Sequence, residues 1–211
     1  MKIIKPIFYA ILIVLIFSAV DCRKKDEPVY YIPLNNGFLS YVSFPVGSWW
    51  VYEEVNTGKR DSIYVVINNT LKKENRQDNN YYYQLEFRLK NNFGEYYFWA
   101  RPDKNIFLND TVYTCTEAYN LNNGTYTAIR FFYSKQRDTL YSINDNTYIK
   151  NIFDTLILNS SLYTDIYQIE NSNQLYGNQI KSEYYSKNIG IIRKELFDST
   201  IWELKKYFIN K

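Results

Sequence analysis

The sequence predicts an all-β fold: an antiparallel meander forming a strongly curved sheet, half-barrel or open barrel. Strand-favouring aromatics dominate the composition, with 23 Tyr, 13 Phe and 4 Trp in 211 residues. Short apolar runs alternate at period two and are separated by Asn- and Gly-rich turn signals. No stretch is convincingly amphipathic at a helical period, which argues against βαβ units.

From Phe38 onward the chain reads as strand after strand. "DSIYVVINN" (61–69) follows a Thr57-Gly58 turn and points Ile63, Val65 and Ile67 inward. "YYYQLEFRLK" (81–90) is the clearest strand. Tyr81, Tyr83, Leu85, Phe87 and Leu89 share one face, with Tyr82, Gln84, Glu86, Arg88 and Lys90 on a solvated back. Past the Asn91-Asn92-Phe93-Gly94 turn, "EYYFWA" points Tyr96 and Phe98 one way and Tyr97 and Trp99 the other. Such a strand has either amphipathic tyrosines on its wet side or a concave binding face. "TYTAIRFFY", "DTLYSI", "DTLILN" and "IWELKKYFI" complete the series, with further turns at Asn122-Asn123-Gly124 and Tyr176-Gly177-Asn178.

The absences exclude whole classes of chemistry. There is no histidine, so a Ser-His-Asp or Cys-His site cannot be built, and a zinc site would need an unusual ligand set. Two cysteines, Cys22 and Cys115, make no disulfide framework. A net charge of +3 with interspersed signs gives no reason to expect nucleic acid. No cofactor and no metal are expected.

At the amino terminus, Lys2 and Lys5 precede the uncharged run "PIFYAILIVLIFSAV", which ends two residues before Cys22. A positive start and an apolar core of this length are the layout of a secretory signal, short for a bilayer span. Ala19 and Val20 resemble the residues before the lipid-modified cysteine of bacterial lipoproteins, although Asp21 stands where Gly, Ala or Ser is usual. The expected organisation is a lipoprotein signal peptide over 1–21, a tether over 22–37 and a single β-domain over 38–211. A cleaved soluble form and an uncleaved anchor are the other readings of the same residues. The tether, "RKKDEPVYYIPLNNG", carries charge, two prolines and an Asn-Asn-Gly turn. Lys24, Lys25, Asp26 and Glu27 resemble the surface-export signal of Bacteroidota-type lipoproteins, and read equally as a solvated linker.

Two further stretches carry a family resemblance. "FPVGSWWVYEE" (44–54) resembles the opening of small Bacteroidota-type lipoproteins of unknown function, where a Pro-x-Gly turn leads into a Trp/Tyr strand. "EYYSKNIGIIRKE" (183–195) with "WELKKY" (202–207) resembles their ending: an aromatic strand, a Gly-Ile/Val-Gly turn, a basic strand and a final Trp strand. Asn188 replaces the first glycine of that turn, and Asn tolerates positive φ. The middle of the chain, roughly 60–180, is unmatched, and the pattern residues imply nothing catalytic. The resemblance implies lipidation at Cys22 and attachment to the outer membrane, on its cell-surface or periplasmic face.

The side chains offer little catalysis. Glu53 and Glu54 are adjacent on a strand and face opposite ways, so they cannot flank one bond. Asp61 with Glu86, or Asp198 with Glu203, could meet across strands. Cys115 lacks a histidine to activate it and reads as buried and inert. An Asp-Ser/Thr-apolar or -Thr pattern recurs five times and resembles the O-glycosylation acceptor pattern of exported Bacteroidota-type proteins, a resemblance that implies candidate sites at Ser62, Thr111, Thr139, Thr155 and Ser199; Asp turns leading into strands give the same letters. The expected function is a non-catalytic structural or binding role on a lipid-anchored envelope protein. The alternative is a carrier binding a lipid or other apolar ligand on the concave face of the sheet; the partners to expect are the membrane, through the lipid anchor, and an apolar ligand or a glycan.

Overall fold

The computed structural model describes residues 31–75, 80–91, 94–105, 110–121, 124–133, 142–144, 147–172 and 180–211. Cys22, the signal segment and Thr139 lie outside the described residues.

The domain is all-β with one short helix. In chain order the elements are β1 (Tyr31–Ile32), α1 (Asn36–Val42), β2 (Trp49–Glu54), β3 (Arg60–Asn75), β4 (Asn80–Asn91), β5 (Gly94–Asn105) and β6 (Asp110–Leu121). β7 (Gly124–Tyr133), β8 (Ser142–Asn144), β9 (Thr147–Leu158), β10 (Ser161–Asn171), β11 (Ile180–Ser186), β12 (Gly190–Leu196) and β13 (Ile201–Phe208) follow. The strands form one sheet in the order β7-β6-β5-β4-β3-β2-β13-β12-β11-β10-β9-β8. Two antiparallel meanders, β2–β7 and β8–β13, are thus joined where the first long strand pairs with the last. β7 and β8, neighbours in sequence, stand at opposite edges, so the sheet curves without closing into a barrel. β1 runs parallel to β4 at Tyr81 and Tyr82, just beyond Leu85, where the pairing of β4 with β5 stops.

Bulges supply much of the bending. Register shifts fall at Val65/Ile67, Cys115/Thr116, Gln168/Ile169, Tyr184/Tyr185 and Leu204/Lys206. Each adds an unpaired residue and sharpens the local twist, so long strands wrap rather than lie flat. The two halves then face one another across a core. Phe131 of β7 is fully buried and meets Tyr185 of β11 at 4.6 Å and Tyr167 of β10 at 5.8 Å between ring centroids.

The first bulge corrects one expectation. Ile63 and Val65 are buried, as their period predicts, but Ile67 is not an inward residue. The extra residue at Val66 reverses the alternation, pairing Ile67 with Arg88 and Asn68 with the inward Phe87. The Asn68 amide then donates to the Phe44 carbonyl at 2.7 Å, a contact Ile67 would have displaced. In β4 the expected inner face holds at Leu85, Phe87 and Leu89 and fades outward: Tyr83 is 38% exposed, where the paired strands run past the core.

Helix α1 is a second departure. The Asn-Asn-Gly stretch read as a turn in the tether is its start, so the far end of residues 22–37 belongs to the fold. Asn35 is the N-cap, its side-chain oxygen accepting from Phe38 N at 3.1 Å. Seven residues are too few to show a period in sequence and too few to be stable alone. Burial stabilises it: Phe38, Tyr41 and Val42 all point into the core.

Candidate functional site

Beneath the concave face lies a cavity of about 420 Å³. Its deep end is formed by α1 and the segment after it, through Tyr41, Val42 and Phe44. Two long-range hydrogen bonds from β2 hold this end in place. Trp50 Nε1 donates to the Ile189 carbonyl at 2.6 Å, and the Tyr52 hydroxyl to the Ile191 carbonyl at 2.8 Å. Because β13 lies between β2 and β12, both side chains reach over it on the inner side. Gly190 permits this approach: a Cβ there would meet the Phe44 ring at 3.0 Å. The backbone N–H of Asn188 donates to the Ser40 carbonyl at 2.7 Å and so ties the β11–β12 turn to α1. Asn188 takes φ 61°, the conformation expected of it in place of glycine.

The wall is aromatic and aliphatic. Phe87 and Phe98 stack at 5.0 Å with planes 5° apart, and Val65, Leu89, Ile191 and Trp202 continue the surface. "EYYFWA" therefore uses both faces: Tyr96 and Phe98 line the cavity, while Tyr97 lies under the Arg88 guanidinium at 4.6 Å on the convex side.

Polar groups gather toward the opposite end, where β3 begins and β4 and β12 finish. Asp61, Asn91 and Lys194 line the cavity there, and Glu117 lines it on β6 opposite Phe98. The Asn91 amide donates to Asp61 Oδ2 at 3.0 Å and to the Tyr96 hydroxyl at 3.2 Å. Asp61 Oδ1 is shielded from water and has no hydrogen-bond donor among the described residues. The Lys194 ammonium sits 4.9 Å from the Tyr52 ring centroid. Burial holds the Tyr52 phenol well above its ordinary pKa, reinforced by the negative charges of Glu183 and Asp61.

The cross-strand carboxylate pairs do not form. Asp61 faces Asn91, Glu86 pairs with Lys73 at 3.1 Å, Asp198 accepts from Thr200 N at 2.9 Å, and Glu203 pairs with Arg193 at 3.0 Å. Glu53 meets Arg60 and Lys205, whereas Glu54 accepts from the Thr57 hydroxyl. Among the described residues, no group of three or more His, Cys, Asp or Glu side chains is placed to hold a metal. Cys115 is buried in the cavity wall. Of the candidate glycosylation residues, Thr155 and Ser199 are exposed and Ser62 is half-buried on β3; Thr111 falls in β6. Asp198 does make the turn that its letters allow, whereas Asp61 sits within a strand.

Strand parity could have found Glu117, which is two residues from Cys115 and shares its face. No such signal marks Lys194 or the Asp61–Asn91 contact, because each joins strands whose register is set elsewhere.

Together these features define a curved single-sheet β-domain with an apolar cavity that is polar at one end. No family model, curated protein or solved structure matches the chain.

Proposed function

We propose that the domain is a non-catalytic binding module that carries an apolar ligand in the concave cavity, held at the outer membrane by lipid on Cys22. The supporting observation is the cavity itself. A volume of about 420 Å³ lies within the usual range of small-molecule sites, and apolar walls with a few convergent polar groups are the usual composition of such sites. The lipoprotein part rests on "FSAVDC", on the charged stretch behind it and on the family resemblance of the two chain ends.

The cavity reading is tested with purified full-length protein and the apolar dye N-phenylnaphthylamine. Saturable binding is expected, weakened about tenfold or more by Leu196→Trp, which fills the space beside Lys194. Absence of dye binding, together with no copurifying ligand in native mass spectrometry, would overturn it. For the anchor, metabolic labelling with a fatty-acid analogue should mark the wild type and not Cys22→Ala; equal labelling sinks the claim.

A further inference from the structure

We infer that the ligand is an amphiphile whose head group donates a hydrogen bond, a hydroxyl or an ammonium rather than a carboxylate, and that Asp61 receives it. The inference rests on the cavity reading above and names the ligand's class.

The polar end of the cavity is chemically lopsided. Lys194 leans on the Tyr52 ring, and Asp61 lines the cavity with a carboxylate. Asp61 is held from one side only, its Oδ2 by the Asn91 amide at 3.0 Å. Its Oδ1 is withheld from water with no donor among the described residues. A buried acceptor without a partner carries the full desolvation cost of the group, and more so when it is charged. Asp61 itself lines the cavity, so its carboxylate lies within reach of a ligand held there. A ligand hydroxyl or ammonium then supplies the missing donor while its chain runs toward Phe87, Leu89 and Phe44. A carboxylate head does the opposite, because it has no proton to give and meets the like charge of Asp61.

The test is displacement of N-phenylnaphthylamine from the full-length protein by dodecanol, dodecylammonium, dodecanoate and methyl dodecanoate, which share one chain length. In the wild type, dodecanol and dodecylammonium should displace the dye about tenfold more tightly than the methyl ester, with dodecanoate weakest. Asp61→Leu should erase that ranking, each displacement being read against the variant's own dye affinity. If Asp61→Leu does not fold, the near-isosteric Asp61→Asn carries the test: the preference for ammonium over alcohol should collapse and the alcohol should still bind. Dye displaced equally by all four compounds, or best by dodecanoate, overturns the head-group inference and leaves the cavity reading standing. A wild type that binds no dye overturns both.

Discussion

Gly190 sits at φ +92° with the Phe44 ring against its Cα, so two constraints fall on one position. Any side chain there strains the backbone and pushes Phe44 off Trp50, whose rings now meet edge-on at 4.9 Å. Gly190→Ala should cost about 1–3 kcal/mol in denaturant unfolding. A change within error would show that the turn relaxes freely. Tyr184 provides a test by pH. Burial, then the charge and hydrogen bond of Glu195, push its phenol up to about 12. In the unfolded chain it ionises near about 10. The folded state therefore holds this proton more tightly. Its contribution is complete below about pH 10 and is lost as pH climbs through about 12. Tyr52 shifts in the same direction. Alkaline titration followed by tyrosinate absorbance should show a late group of tyrosines ionising together with loss of circular dichroism. Tyr184→Phe should move that unfolding to higher pH. Ionisation of all tyrosines before any unfolding would contradict the assignment.

Among the elements, α1 shows most clearly how context overrides local signal. Its cap, Asn35, is worth about 1 kcal/mol, so Asn35→Ala should lower stability by that amount. Phe38→Ala should cost about 3–5 kcal/mol, because Phe38 is fully buried against Phe131 and Tyr113. If Phe38→Ala costs no more than Asn35→Ala, α1 is held by its cap rather than by the core. The strands were far more legible. Alternation in "YYYQLEFRLK" correctly places Leu85, Phe87 and Leu89 inside, since a pleat leaves no other arrangement. It misplaces Ile67, because a bulge inserts a residue that no period anticipates. The cavity shows the same division. Its aromatic lining from Tyr96 and Phe98 follows from strand parity, whereas Asp61 meets Asn91 only because β3 and β4 stop in that register.

For the whole molecule, the β2–β13 pairing joins the two meanders through the ends of the domain. Trp49 stacks on Phe208 at 6.3 Å, and Asn210 N donates to the Ser48 hydroxyl at 3.1 Å. Deletion of residues 201–211 should therefore abolish cooperative unfolding instead of trimming a tail; a truncated chain that unfolds with the same midpoint would refute this. At the other end, replacing Asp21 by Gly should speed maturation if Cys22 is the lipid-bearing residue, read as faster loss of the precursor band in pulse-chase labelling. Composition and period-two alternation were enough for the β class and the strand faces of "YYYQLEFRLK" and "EYYFWA", because these depend on neighbours along the chain. The joining of the two meanders, the helix beneath the sheet and the polar end of the cavity were decided by tertiary packing, some of it between residues as far apart as Trp50 and Ile189. Local pattern carries no information about such pairs, since their meeting depends on where every intervening strand bends.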